Sequence, residues 1–460
     1  MRRIKRIHFV GAGGIGMSGL AELLAIQGYH VTGSDVREGA GVTRLRSLGI
    51  DVTVGHREAN VGSADVVVYS SAVPPTNPEL RAAEQRKIPV IPRAEMLAEV
   101  MRLKDGIAVA GSHGKTTTTS LIAHVLDAAG LDPTVIVGGR VQSAGRPPTT
   151  TRVGASEILV AEADESDGSF LRLSPVLAVI TNIDPEHLDH YGSFDALREA
   201  FAEFANRVPF WGASVLCLDH PGVQSILPQT RRRAISYGTV PQAELVAENL
   251  GRDGAGTRFT VRRQGEVLGQ ARAPLPGRHN VLNTLATLCV ALELDVPFRT
   301  AADALDSFVG IERRFQRVGE VGGVQVVDDY GHHPAEIQAT LSAAREVHSG
   351  RLVVAFQPHR FTRTRDLWEE FTRSFNDADV LIVTEVYAAS EGKILGIDSA
   401  GLAQAIRAHG HREVHHVTDL DAVLDGLVDV ARPGDMVVTL GAGSISTLGA
   451  RLLARLEERA

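Results

Sequence analysis

The stretch IAVAGSHGKTTTTSLIAHVL, residues 107–126, carries the reading of the whole chain. An apolar run, Ile107–Ala110, leads into a glycine loop, and the loop opens a segment in which Leu121, Ile122, Val125 and Leu126 share one face of a helix. Strand, loop and helix in that order are the context a phosphate-binding loop requires. The familiar loop spells G-x-x-x-x-G-K-[ST]. Here Gly114, Lys115 and Thr116 supply its end, but Val109 stands where the opening glycine belongs. The shortening removes no charge and no metal ligand. Backbone N–H groups of Gly111, Ser112, His113, Gly114, Lys115 and Thr116 suffice for an anion nest. Lys115 can reach the β and γ phosphates, and Thr116 offers a hydroxyl to Mg²⁺. The plainer reading is a Ser/Thr-capped helix after a strand. Thr116, Thr117, Thr118 and Thr119 in a row are poor helix formers, so an ordinary helix start would gain little from them. The loop predicts a nucleoside triphosphate.

A second glycine loop stands nearer the start. VGAGGIG at 10–16 spaces Gly11, Gly13 and Gly16 as G-x-G-x-x-G, with Gly14 between, after an apolar run and before a helical pattern. Asp35 ends the next apolar run, at the distance of a ribose-binding acid. Glycines let the backbone approach a pyrophosphate, and a helix N-terminus favours its charge. The motif does not say which diphosphate it takes: NAD, FAD and a UDP-sugar all carry one. A tight strand–helix turn without a ligand is the alternative. One loop for a diphosphate and one for a triphosphate with metal point to a nucleotide-linked substrate activated by ATP rather than to a GTPase or motor.

Acids and histidines cluster at other apolar-run ends. LVAEADESD places Glu162, then Asp164, Glu165 and Asp167, where open α/β sheets hold ligands. Glu162 fits a magnesium ligand best, and Asp167 reads as solvated. TNIDPEHLDHYGS carries His187 and His190, an H-x-x-H spacing with neither cysteine nearby in sequence. GRHNVLN carries Asn280 and Asn283, which fit either helix capping or the edge of an adenine. Arg313 and Arg314 precede VVDDYGHHP, whose Asp328, Asp329, Tyr330, His332 and His333 make an unusual turn for a purely structural one.

The chain has 460 residues, which predicts two to four domains. Its net charge is 47 − 55 = −8, against a non-specific nucleic-acid binder. Cys217 and Cys289 are its only cysteines, as expected of a reducing compartment. The basic, apolar N-terminus fails as a signal peptide, because glycines, His8 and Glu22 interrupt it, and no long uncharged apolar window appears. A cytoplasmic protein without nucleic-acid or membrane partners is the expectation. Apolar runs alternating with helical patterns predict an α/β protein of three domains. These are an N-terminal Rossmann-like domain (1–102), a central P-loop ATPase-type parallel sheet (103–311) and a C-terminal Rossmann-like doubly wound sheet (312–460). Residues 235–275 read as an antiparallel insertion, and SAGRPPTTT at 143–151 as a short mobile loop.

Taken in order, HFVGAGGIGMSGLAE, VTGSD, SSAV, GSHGKTTTT, EADESDGSF, TNIDPEHLDHYGS, GRHNVLN, ERRF, DDYGHHP and FQPHRFTRTRD resemble the Mur ligase family of bacterial cell-wall synthesis over nearly the whole chain. That family's loop is G-[ST]-x-G-K-[ST], so Val109 is no departure from it. The resemblance implies a UDP-sugar domain, a central ATPase and a domain for the incoming amino acid. The implied reaction joins the lactyl carboxylate of UDP-N-acetylmuramate to the amine of L-alanine, with ATP consumed to ADP and phosphate. It implies that Thr116 and Glu162 hold Mg²⁺ (or Mn²⁺) and His187 a second metal, and that Lys115, His187 and Arg363 act in catalysis. The glycine loop with Thr117, Asn280, Asn283, Arg314 and Asp329 would hold ATP. Gly11, Gly13, Gly14, Gly16, Asp35, Ser70 and Ser71 would hold the UDP-sugar. Tyr330, His332, His359 and Arg363 would hold the amino acid. A monomer or weak homodimer is expected. The rivals are a sister ligase that recycles a tripeptide onto the same UDP-sugar, a nucleotide-dependent dehydrogenase, and a nucleotide-sensing module without turnover.

Overall fold

The computed structural model of the chain describes residues 4–143, 146–389 and 391–459. Its first sheet contains β1 (Arg6–Val10), β2 (His30–Asp35), β3 (Asp51–Val54), β4 (Val66–Tyr69) and β5 (Val90–Pro92), in the order β3-β2-β1-β4-β5. Every pairing is parallel. Ile7, Phe9 and Val10 are buried together with His8, as expected of a parallel strand covered on both faces. Strand order reverses beside β1, so the crevice beyond the ends of β1 and β4 is the switch point where such sheets bind ligands. The first glycine loop and Ser70–Ser71 both open there.

Packed with this sheet is a buried polar knot. The Glu79 carboxylate accepts hydrogen bonds from His8 Nε2, Ser34 Oγ, Asn60 Nδ2 and the Arg57 backbone N–H. Burial alone would raise this carboxyl, but these donors outweigh it and hold its pKa at about 2.

The central sheet contains β6 (Asp105–Ala110), β7 (Thr134–Ser143), β8 (Arg146–Arg152), β9 (Ile158–Glu162), β10 (Leu177–Ile180), β11 (Ala213–Cys217), β12 (Ala234–Gly238), β13 (Leu245–Asp253), β14 (Gly256–Arg263) and β15 (Glu266–Ala273). Its order is β15-β14-β13-β12-β11-β10-β6-β9-β7-β8. The strand of the decisive stretch, β6, lies between β9 and β10, parallel to both. Two expectations need correcting. Residues 235–275 do not begin as an antiparallel insertion, since β12 pairs in parallel with both β11 and β13. Alternation along a strand reports its faces and not its direction. The stretch 143–151 is not simply a loop: β7 and β8 pair antiparallel, while residues 144 and 145 lie outside the described residues. Its prolines are tolerated because β8 is an edge strand, and its threonines favour extended backbone.

The last sheet contains β16 (Gln316–Val321), β17 (Val324–Asp329), β18 (Leu352–Phe356), β19 (Val380–Val383), β20 (Val414–His416) and β21 (Met436–Leu440), ordered β16-β17-β21-β18-β19-β20. All pairings are parallel except β16–β17, an antiparallel edge on the doubly wound sheet. By compactness the chain forms two units. The first comprises Met1–Asn249, Phe259–Ala271 and Leu282–Phe308, so it holds the first sheet and most of the central one. The second comprises Leu250–Arg258, Arg272–Val281 and Val309–Ala460. Among the described residues no helix is long and apolar enough to cross a membrane.

Candidate functional site

The loop after β6 is built around two glycines that no other residue could replace without strain. Gly111 has φ 134°, and a Cβ there would lie 2.1 Å from Thr181 Oγ1. Gly114 has φ 81°, and its Cβ would lie 2.7 Å from Asn283 Oδ1. Val109 needs no such freedom, because it is an interior residue of β6, in register with Glu162 of β9 and Val179 of β10. The segment after β10 braces the loop. Asn182 Oδ1 accepts the His113 N–H at 2.7 Å, while Asn182 Nδ2 and Thr181 Oγ1 donate to the His113 carbonyl. The Asp184 N–H donates to Ser112 Oγ at 2.8 Å. The helix Lys115–Ala128 then begins, with Thr116 and Thr117 buried in its first turn and Thr118 Oγ1 donating to Asn283.

Lys115 ends in a dense polar cluster. Its ammonium donates to Gly111 O at 2.6 Å and lies 2.7 and 2.9 Å from the two oxygens of Glu165, whose side chain is 2% exposed. Burial works against the Lys115 charge, yet Glu165, with added negative charge from Asp164 and Glu186, holds its pKa above the ordinary lysine value. His187, at φ 55°, brings Nε2 within 3.9 Å of Glu165 and 3.7 Å of Glu186. His113 Nε2 lies 3.2 Å from Asp184 and 3.1 Å from Glu186, and His220 reaches Asp184 from the other side at 3.3 Å. Burial would raise the Asp184 carboxyl, but these two histidines hold it well below the usual carboxylate range. Glu162 stands at the end of β9 against β7, where a Cβ on Gly138 would meet its Oε2 at 2.8 Å. The His190 ring lies edge-on to Tyr191 at 4.8 Å. Thr116 and Glu162 offer a hydroxyl and a carboxylate, oxygen donors of the kind Mg²⁺ or Mn²⁺ takes, and His187 offers an imidazole.

The first glycine loop follows β1 with Gly11 at φ 79° and its would-be Cβ 3.2 Å from Ser70 Cβ, so little space separates the loop from the turn after β4. Gly14 caps the helix Ile15–Ile26, and Ser71 is exposed in the turn after β4. Asp35 has a local duty: its Oδ2 accepts the Gly13 N–H at 2.8 Å. Gly16 faces Arg93, whose Nη1 would lie 3.2 Å from a Cβ there; burial raises the Asp164 carboxyl, but Lys115 and hydrogen bonds from Ser166, with a smaller contribution from Arg93, hold it below its ordinary value. One arginine therefore lies against the first loop and acts electrostatically on the surroundings of the second. Sequence reasoning missed it, although it follows β5 at the end of a parallel strand, the position that should draw attention in such sheets.

In the second unit Asp329 is 6% exposed and fully engaged, accepting from Phe315 N, Gly331 N and Thr340 Oγ1. It pins the turn that carries Arg314, whose guanidinium lies over the Tyr330 ring at 5.1 Å. Asn280 donates to Pro276 O at 2.7 Å, ahead of its own helix. Four rings form a chain: Tyr330–His332 at 5.2 Å, His332–His359 at 5.4 Å and His359–Tyr387 stacked at 5.5 Å. Arg363 Nη1 donates toward His359 Nδ1 at 3.3 Å. Burial, reinforced by Arg363, lowers His332 to about 3 and His359 to about 4, so both rings are neutral at neutral pH. The positive charge at this wall is thus arginine's, in the fork geometry that suits a carboxylate. Tyr387, just past β19, is a member of the wall that the sequence did not reveal.

Three domain descriptions match the chain in order: Mur ligase family, catalytic domain, at residues 6–105; Mur ligase middle domain at 109–291; and Mur ligase, glutamate ligase domain, at 313–443. The chain is 56% identical over 460 residues to a UDP-N-acetylmuramate–L-alanine ligase of Sorangium cellulosum (strain So ce56), covering 99% of this chain and 97% of that one. A protein of the same name from Myxococcus xanthus (strain DK1622) is 56% identical over 455 residues, with 98% and 95% covered. Among solved structures, the UDP-N-acetylmuramate–alanine ligase of Thermotoga maritima matches with TM-score 0.82 at 30% identity, covering 99% of this chain and 100% of that one. A murein peptide ligase of Psychrobacter arcticus matches with TM-score 0.71 at 25% identity, covering 98% of each chain. With more than half of its residues shared along almost its full length, and with both glycine loops standing at the ends of parallel strands, the chain belongs to the Mur ligase family.

Proposed function

We propose that the chain joins L-alanine to the lactyl carboxylate of UDP-N-acetylmuramate at the expense of ATP, as a cytoplasmic step of peptidoglycan synthesis. The observation that carries this reading is a diphosphate-type loop and a Lys115 loop in one compact unit of a chain 56% identical to ligases named for that reaction. The tripeptide-recycling reading has the murein peptide ligase likeness behind it, at lower identity and TM-score than the alanine ligase.

The chemistry follows from the parts. A carboxylate is a poor electrophile. Transfer of the γ-phosphoryl group to a lactyl oxygen gives an acyl phosphate and ADP. The alanine nitrogen then attacks the acyl carbon, and the tetrahedral intermediate expels phosphate to leave the amide. Catalysis of this kind is positioning and charge stabilisation. In this reading the 111–117 loop, Asn280, Asn283, Arg314 and Asp329 hold ATP, with Lys115 on its phosphates. Thr116 and Glu162 would hold Mg²⁺ and His187 a second metal, and the metal would supply charge neutralisation to the phosphates. The first glycine loop, Asp35, Ser70 and Ser71 take the UDP-sugar, and Arg93 extends that group. Arg363, with Tyr330, His332 and His359, takes the amino-acid carboxylate. Residues 1–102, 103–311 and 312–460 serve as sugar, nucleotide and amino-acid domains of a monomer or weak homodimer.

The test is phosphate release by purified protein with ATP, UDP-N-acetylmuramate and each of the twenty amino acids in turn, beside the tripeptide. Release that depends on L-alanine is expected. Release with the tripeptide alone sinks the alanine assignment, and perturbation by NAD(P) but not by the UDP-sugar points to a dehydrogenase. A folded Lys115→Ala variant is expected to lose about 10³-fold or more in turnover.

A further inference from the structure

The cluster at Lys115 contains a partner that the reaction above does not use. An ammonium has three N–H donors. Those of Lys115 face Gly111 O at 2.6 Å, Ser112 O at 3.3 Å, and Glu165 Oε1 and Oε2 at 2.7 and 2.9 Å. Glu165 itself is fixed: Tyr191 Oη donates to its carbonyl at 2.6 Å, the Gly168 N–H donates there too, and its side chain is 2% exposed. A buried carboxylate within hydrogen-bond reach of the lysine that must grip phosphates is a like charge placed where another anion has to sit.

We propose that Glu165 is a positioning residue that competes with the phosphates for Lys115. It holds the ammonium aimed across the loop, and it yields that ammonium when a nucleotide enters. The inference rests on the reading of the 111–117 loop as a nucleotide site. It separates Glu165 from Glu162: the carboxylate at the end of β9 belongs to the metal set, and the one three residues later is devoted to the lysine. The arrangement lowers nucleotide affinity in exchange for a lysine that is never buried without a counter-charge, a costly state for any cation.

The experiment measures ADP binding to the full chain by titration calorimetry in EDTA, so that no metal contributes. Glu165→Gln removes the competing charge and is expected to tighten metal-free ADP about tenfold, the factor that corresponds to about 1.4 kcal/mol. Glu165→Asp, whose carboxylate is drawn back by one methylene, is expected to tighten it by a smaller factor and guards against a Gln variant that does not fold. Unchanged or weaker ADP binding in the folded variants overturns the proposal. A purely structural Glu165 would weaken binding, and a metal-ligating one would change only Mg²⁺–ATP. A wild-type protein that binds no ADP sinks the nucleotide reading itself, and this inference with it. The chain has only five lysines, so ¹⁵N-labelled lysine gives a direct second readout. The Lys115 ammonium signal, assigned with Lys115→Arg, is expected to shift on ADP addition in the wild type. A signal that stays in place while ADP binds also overturns the proposal.

Discussion

Gly114 shows how much one residue can be asked to do. Its positive φ is unfavourable for any L side chain, and the space its Cβ would need is already taken by Asn283 Oδ1. Gly28 has a similar φ of 89° but nothing within 4 Å of a would-be Cβ, so it isolates the conformational part of the cost. Gly114→Ala is expected to destabilise by about 1–3 kcal/mol and Gly28→Ala by less, measured by urea unfolding at pH 7. Gly114→Ala should also weaken ADP binding while Gly28→Ala leaves it unchanged. Equal losses for the two variants would mean that the Asn283 contact carries no weight. The partner of Gly114 is not readable from sequence, because Gly114 and Asn283 lie far apart in the chain and meet only in the folded unit.

Among the elements, the knot around Glu79 ties three separate pieces together. His8 comes from β1, Ser34 from β2, and Arg57 and Asn60 from the segment after β3, with His56 Nδ1 a further 3.5 Å neighbour. Because the folded pKa of about 2 lies below the ordinary 4.5, the carboxylate stabilises the fold above pH 4.5. That contribution, about 3 kcal/mol, is lost as pH falls from about 5 toward 2. In Glu79→Gln this part of the pH–stability profile should flatten, with lower stability at pH 7, as measured by unfolding at a series of pH values. A variant with the wild-type acid slope would show that other carboxyls dominate it. Asn77 caps the helix carrying Glu79, so a local signal for that helix existed, but nothing local announced that Glu79 turns inward.

At the scale of the molecule, the two compact units should unfold as separable transitions in scanning calorimetry. The first glycine loop lies in the first unit. UDP-N-acetylmuramate at 100 times its Kd is therefore expected to stabilise that unit's transition by about 2.7 kcal/mol and to leave the other in place. A shift confined to the second unit's transition would remove the sugar site from the first loop.

Local chemistry settled a good part of this protein in advance. The order of strand, glycine loop and helix around Lys115, and again around Gly11, requires only neighbours in the chain, so it was legible as sequence. The same holds for the alternating elements that make three sheets. Strand direction in 235–275, the β7–β8 pairing, and the choice of Glu165 over its neighbours Asp164 and Asp167 as the partner of Lys115 were decided only by tertiary structure. So were the placements of Arg93 and Tyr387. The physical reason is common to all of them. Periodicity and propensity act over a few residues, whereas a side chain's partner is chosen by which strand ends the sheet order brings side by side.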